Sequence, residues 1–430
     1  MSRSKGGHSP SRIDAQREEE LVPAAEAAAL LGVKRATLYT YVSRGLVRCV
    51  PERGTKEHRY VRSDLERLKA RHDARAGHAA VASGALRWGE PVIDSSVSRV
   101  GAEGLAYRGH SAVGLVAEGR GFEDVAELLW TGALPARDTR WPAPELPFPP
   151  SELARLLPRG TRPVAALAAL VPLLGVRDPV RFAAPAEGEK ARARRLLRHL
   201  AAWACVASAP GRVARALKEE TVAASLAYGW GMEVKRAPEM LNQALVLCAD
   251  HELNVSTFAA RVTASSGADL YACVSAALAA LSGPKHGGAC DRVEALLAEV
   301  GRPERAAEVV YERLRRGEAV MGFGHPLYPE GDPRTPPLME AARAVRPEAT
   351  GVKVARAVLE VMRDAGHPPP TVDFGLVMLA QALGLPPGAG ATLFAVGRAA
   401  GWVAHVLEQR EQGHLLRPRA RYVERSLPVG

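Results

Sequence analysis

From about residue 91 to the C-terminus, strand-like runs are almost absent. Ala/Leu-rich stretches follow one another, broken by proline-rich loops such as WPAPELPFPP at 141–150 and HPPPT at 367–371. Such stretches form helices that bury an apolar face only against other helices, so the expected fold is mainly α, helix packed on helix. At 430 residues with 47% hydrophobic content, the chain can fill two or three domains. No repeat is apparent, and GAGATL at 388–393 lacks the third glycine and the preceding strand of a dinucleotide-binding loop.

The N-terminal fifth reads differently. Residues 1–20 are polar, end in Glu18-Glu19-Glu20, and are expected to be a disordered tail. AAEAAALL is then a helix, Gly32-Val33 a turn that needs a left-handed residue, and Lys34–Ser43 a second helix. LVRCVPERGTKEHRYV follows as two short β runs around Arg53-Gly54, and a charged helix starts at the N-cap Ser63. Residues 21–73 thus resemble a winged helix-turn-helix module of the MerR or excisionase type, followed by a small-residue linker at 74–90.

Between Lys34 and Arg75 the chain carries twelve Lys or Arg against five Asp or Glu, most of the overall formal charge of +10. A nucleic-acid surface is one reading of that asymmetry, and an Arg-rich solvated face is the other. In the first reading Lys34, Arg35, Thr37 and Tyr39 face the major groove of double-stranded DNA and Arg53, Lys56 and Arg59 form the wing. Leu30, Leu38 and Val42 are expected in the core, with Tyr39 and Tyr41 open to either role.

The first twenty residues hold no apolar stretch fit for a signal peptide, and no run of about 18 uncharged apolar residues follows. A cytoplasmic, non-membrane protein is expected. Five scattered cysteines without a Cys-x-x-Cys pair suggest neither a disulfide framework nor a zinc cage, and are expected to be buried thiols.

Three histidines stand in unusual local settings: His251 in Asp-His-Glu-Leu-Asn, His286 in Gly-Pro-Lys-His-Gly-Gly, and His325 in Gly-Phe-Gly-His-Pro. Glycine flanks let a ligand approach the backbone. Asp373 in Thr-Val-Asp-Phe follows a proline loop and opens a helical run. A helix N-terminus favours an ionised carboxylate and a neutral imidazole, so Asp373 is expected as a ready base and His286 as a neutral donor, a pair suited to enolisation. Taken singly, each of these residues is more often structural; the combination carries the argument.

The segment DHELNVSTFAARVTASSGADLYACVSAALAALSGPKHGGA, followed in order by GFGHPLYPEGDPR, TVDF, RAAGWVAHVLEQ and LLRPRARY, resembles the citrate synthase family. IDSSVSRVGAEGLAYRGHSAVGLV and FEDVAELLWTGALP extend the likeness to about four-fifths of the chain, and 141–215 is its weakest part. The resemblance implies an all-helical two-domain fold: a large domain of 91–288 with 384–430, a small domain of 289–383, and a site in the cleft between them.

It also implies condensation of acetyl-CoA with oxaloacetate to citrate and CoA. Asp373 would be the base, His286 the stabiliser of the enol, and His325 the acid at the ketone oxygen. His251, Arg334, Arg398 and Arg417 would hold oxaloacetate, with Arg417 reaching the partner subunit's site in a homodimer. No metal or cofactor is implied, and His405 with Glu408 makes too small a set for a metal site.

Two prolines depart from the family pattern: Pro326 follows the loop histidine, and Pro329 stands where members often carry a basic residue near the CoA phosphates, so Arg315, Arg316 and Lys285 are candidates to compensate. Propionyl-CoA as donor, citryl-CoA cleavage, and a transcription factor whose body only senses metabolites remain open on sequence.

Overall fold

The computed structural model describes residues 21–43, 46–51, 58–62, 64–66, 68–69, 93–101, 103–182 and 186–418. The expected tail at 1–20 and linker at 74–90 lie outside them, as do Arg53 and Lys56. The chain divides into two compact units, one running up to Asp94 and the other spanning Ser95–Pro418.

In the first unit, β1 (Leu21–Pro23) leads into α1 (Ala24–Leu31) and α2 (Arg35–Ser43). Gly32 between the helices has φ 64°, the left-handed conformation the sequence asked of it, and its N–H caps the first helix. β2 (Cys49–Pro51) and β3 (His58–Val61) pair antiparallel as the wing. β1 adds to the other edge of β3, Leu21 opposite Val61, a strand too short to show a sequence period.

Val22, Ala27, Leu38, Val47, Tyr60 and Leu65 form this unit's own core, with Leu30, Tyr41 and Val42 packed against it. Tyr41 is therefore structural, whereas Tyr39 is exposed with Lys34, Arg35 and Arg59, and Thr37 is half-buried. Arg48 on the wing grips buried Asp64 through two guanidinium nitrogens at 2.8 and 3.1 Å.

The second unit is helical except for one small antiparallel sheet of β4 (Ser98–Gly101), β5 (Gly104–Tyr107) and β6 (His110–Ser111). Its helices run α3 (Ala112–Ala117), α4 (Phe122–Thr131), α5 (Pro150–Leu156), α6 (Pro163–Val176), α7 (Ala186–Trp203), α8 (Val213–Ala216), α9 (Val222–Gly229) and α10 (Ala237–Cys248). There follow α11 (Val255–Ser265), α12 (Leu270–Leu281), α13 (Gly288–Val300), α14 (Ala306–Arg315), α15 (Thr335–Val345), α16 (Thr350–Asp364), α17 (Val372–Leu383) and α18 (Ala389–Gln412).

Helix α18 is the hub: it is buried along nearly all its length and packs on α4, α10, α11, α12 and α17. A helix that is apolar or small on every side has no solvent face, so its neighbours must surround it. Peripheral α16 instead buries one stripe, Val352, Val354, Ala355, Val358 and Met362.

Cys205, Cys248, Cys273 and Cys290 are buried and Cys49 is half-buried; all five are free thiols. No helix among the described residues is long and apolar enough to cross a membrane.

Candidate active site

The small sheet, invisible in the sequence, positions the first histidine. Tyr107 on β5 donates to the carbonyls of Val246 and Leu247 at the end of α10, and Ser98 on β4 donates to Asp250. Glu252 is fixed at both ends, its N–H donating to Ser98 Oγ at 2.9 Å and its carboxylate accepting from Val100 N–H at 2.8 Å. Its φ of 50° is a left-handed conformation that costs a residue other than glycine about 1–3 kcal/mol. These bonds hold it there and turn His251 inward between α10 and α11, where Asn254 caps α11 through bonds from Ser256 N and Thr257 N.

His251 is buried and its Nε2 lies 2.9 Å from Tyr328 Oη. The ring of His325 stands 5.7 Å from that of His251 and 5.2 Å from that of Tyr328, so three rings from two segments meet. The loop carrying His325 and Tyr328 is seated at Gly322, whose φ is 90°. A Cβ there would come within 2.7 Å of Val293 on α13 and 3.1 Å of Phe374 on α17. Thr371 N–H donates to Gly322 O and Gly324 N–H to Pro369 O, which ties the loop to the segment that opens α17. His325 and Asp373 are thereby held by one piece of backbone.

Two arginines face the rings. Arg334 is buried and forks onto Asp332 at 2.9 and 2.7 Å, yet its Nη1 is buried without a partner. Arg398, on α18, makes one hydrogen bond among the described residues, to Cys248 O at 2.9 Å, and lies over the Phe394 ring at 4.6 Å. Burial first, and then the two arginines with His325, holds the His251 imidazole well below the usual histidine range. Burial and Arg334 also lower His325, while Asp332 and Asp373 pull the other way. Both rings are neutral at pH 7. Leu327 N–H donates to His325 Nδ1 at 3.2 Å, which in a neutral ring puts the proton on Nε2 and makes that atom a donor.

His286 precedes α13 and is also neutral, as the sequence predicts. Burial rather than the helix end is the main cause, with Arg398 adding to it, and together they push the ring down to about 4. Its Nε2 lies 2.8 Å from Ser256 Oγ, which accepts from Trp402 Nε1 at 3.1 Å and lies 2.8 Å from Asn254 Oδ1.

For Asp373 the expected effect of the helix N-terminus is overturned. Dense surroundings raise the carboxyl above the usual range, against lowering by Cys290 and Arg334. A carboxylate raised by burial is a stronger proton acceptor than a capping aspartate, and that favours its use as a base.

Arg417 is exposed beyond α18 and takes no hydrogen bond or ion pair among the described residues, so this chain does not bring it to its own cluster. Arg315 and Arg316, at the end of α14, are ion-paired with Glu312 and Glu318. Lys285 is exposed beside His286. A groove of about 700 Å³, lined by Phe323, Arg343, Arg356, Arg363, His367 and Pro370 among others, abuts the loop of His325.

Among the described residues no group of three or more His, Cys, Asp or Glu is placed to hold a metal ion. His405 and Glu408 are committed elsewhere: His405 to Asp250 at 3.2 Å, Glu408 to Arg261 at 2.7 Å. Sequence reasoning missed Tyr328, Ser256, Asp332 and Cys290, each recognised only by what it touches.

A profile described as "Citrate synthase, C-terminal domain" matches residues 85–419, and one for a "Helix-turn-helix domain" matches 24–73. The chain is 32% identical over 347 residues to citrate synthase 2 of Bacillus subtilis, covering 76% of this chain and 92% of that protein. It is 31% identical over 355 residues to 2-methylcitrate synthase 1 of Corynebacterium glutamicum, with the same coverage. Among solved structures it matches the citrate synthase of Thermoplasma acidophilum in ternary complex with carboxymethyl-coenzyme A and oxaloacetate. That match has a TM-score of 0.68 and 26% identity, and covers 79% of this chain and 97% of the other. A mainly helical body with this cluster at its centre, preceded by a helix-turn-helix module, makes the chain a member of the citrate synthase family.

Proposed function

We propose that residues 95–418 condense acetyl-CoA with oxaloacetate to give citrate and CoA, with Asp373, His286 and His325 moving the protons. The observation that carries this reading is the combination of three neutral histidines, two buried under-paired arginines and a raised carboxylate in one unit, with Arg398 acting on both His251 and His286 and Arg334 on His251, His325 and Asp373. The arginines suit a small dianion, whose carboxylates would take the free donors of Arg334 and Arg398. His251 and Tyr328 then frame the ketone, and His325 Nε2–H faces its oxygen.

In the first step an oxygen of Asp373 takes a proton from the methyl group of the thioester. The negative charge moves onto the thioester oxygen, where His286 stabilises it by donating from Nδ1. In that tautomer His286 Nε2 carries no proton and accepts a hydrogen bond from the Ser256 hydroxyl, 2.8 Å away, when that hydroxyl turns from Asn254 Oδ1. Trp402 already donates to Ser256 Oγ and so leaves the hydroxyl proton for Asn254 or His286. The methylene carbon then bonds to the ketone carbon while His325 gives its Nε2 proton to the forming alkoxide. Water cleaves the resulting thioester and releases CoA and citrate. Every acid and base in this sequence is a side chain, and the reading asks for no metal or cofactor.

The groove beside Phe323 offers Arg343, Arg356 and Arg363 to the CoA phosphates, in place of the basic residue that Pro329 replaces. Arg417, exposed at the C-terminal end, is free to reach the site of a partner subunit in a homodimer. For the first unit we propose binding to double-stranded DNA through Lys34, Arg35, Thr37 and Tyr39, with Arg59 on the wing. A two-fold dimer would present two such modules to a palindromic site.

Incubating the protein with oxaloacetate and either acetyl-CoA or propionyl-CoA tests the catalytic reading. Citrate as the main product confirms it, 2-methylcitrate formed faster reassigns the donor, and no product from either overturns it. A gel shift that weakens steeply with salt tests the DNA reading, and no shift at low salt with any duplex contradicts it.

A further inference from the structure

Beneath the base lies a thiol that the reaction described above does not use. Cys290 is the third residue of α13, is 2% exposed, and donates through Sγ to Asp373 Oδ1 at 3.1 Å. The other carboxylate oxygen, Oδ2, has Thr371 Oγ1, at 3.5 Å, as its one side-chain partner among the described residues. One oxygen of the base is therefore tied to α13, while the other is almost unengaged.

Resting on the reading of Asp373 as the base, we propose that Cys290 is a positioning residue for the condensation. Its weak S–H···O bond fixes Oδ1, aims Oδ2 at the acyl methyl group, and leaves the carboxylate more proton affinity than a hydroxyl or amide donor would. A thiol is the weakest donor among the side chains that fit this space. It orients the base at little cost to its strength.

The other groups acting on Asp373 come from several elements. They are Arg334, Asp332 and His325 on the loop before α15, and Cys248 at the end of α10. None of them bonds to the Asp373 carboxylate. The thiol itself stays protonated, because burial and then the carboxylate push it well above the usual cysteine range. Cys290 is thus a donor and not a nucleophile at neutral pH.

The test compares Cys290→Ala and Cys290→Ser with wild-type protein and Asp373→Asn, reading kcat against pH and the KM for oxaloacetate. Removing the donor destabilises the charged carboxylate, so in Cys290→Ala the acid limb of kcat moves up by about one pH unit. In Cys290→Ser the stronger hydroxyl donor restores orientation and moves the limb below that of the alanine variant. The oxaloacetate KM stays unchanged in both.

In the infrared, the S–H stretching band that disappears in Cys290→Ser shifts in Asp373→Asn. The serine variant fills nearly the same space and keeps the test valid should Cys290→Ala fold poorly. If Asp373→Asn loses turnover while neither Cys290 variant moves the acid limb or the band, the proposal is overturned and the base stands. If Asp373→Asn keeps its turnover, the base reading fails and the proposal fails with it.

Discussion

Two of the buried arginine clusters among the described residues are wired in opposite ways. Around Arg261, at 0% side-chain exposure, every guanidinium nitrogen is engaged: Nε by Gln409, Nη1 by Glu408 and His405, and Nη2 by Gln412. His405 hands its other nitrogen to Asp250 Oδ2, so both ring nitrogens are engaged as well. Around Arg334 and Arg398 one Nη is orphaned, and one whole arginine has a single backbone acceptor among the described residues.

Both clusters hold histidine, acid and arginine, the first mainly on helices α11 and α18, the second mainly on loops with Arg398 from α18. A closed network serves as scaffold, while an open one has donors left for a ligand. Burying a cation without an anion costs several kcal/mol, and a substrate carboxylate offsets that cost when it binds.

Substitutions should separate the two regions. Asp373→Asn at the open cluster should lower kcat by about 10²–10⁴ with oxaloacetate binding intact, as measured by steady-state rates and calorimetry. Arg261→Met should instead cost about 3–5 kcal/mol in denaturant unfolding, because Glu408 would be left buried without its counter-cation, held by the Ser96 N–H and hydroxyl. The protein that remains folded should still bind oxaloacetate. Arg398→Met should do the converse, weakening oxaloacetate about 10–100-fold with no loss of unfolding free energy. Equal losses of stability in the two arginine variants would erase the distinction between scaffold and site.

Acid should act on the site and on a histidine outside both clusters. His199 in α7 and His286 in the site are each held at about 4, by burial and then by nearby arginines. Below the unfolded value of about 6.5 the unfolded chain takes up protons that the folded rings refuse, so stability falls as pH drops from about 6.5 to 4. His199→Gln should flatten that fall in a melting series without moving the pH profile of kcat. Deleting residues 1–75 should have the smallest effect on catalysis, leaving turnover unchanged while abolishing any DNA shift. A large drop in turnover would show that the first unit supports the second.

Much of the site was legible because its members carry local signals. Glycines beside His286 and His325 mark close backbone approach, and a proline loop before Asp373 marks a helix start. The turn at Gly32 was readable for the same reason. What escaped is long-range: Ser98 and Glu252 meet across about 150 residues, as do Arg261 and Glu408. Cys290 reaches Asp373 across a helix interface, so nothing beside it in the chain reveals its partner. The sign of the Asp373 shift was misjudged because a helix end is visible in sequence and burial is not. The weakly matched stretch 141–215 likewise holds the buried guanidinium of Arg198, which binds Leu217 O at 2.7 Å and Glu220 O at 3.1 Å.

The most direct measurement is release of the CoA thiol from acetyl-CoA, with and without oxaloacetate, by the full-length protein and by Asp373→Asn. The account predicts thiol release that requires oxaloacetate and collapses in the variant while oxaloacetate still binds. Release that ignores oxaloacetate, or that survives in Asp373→Asn, would contradict it.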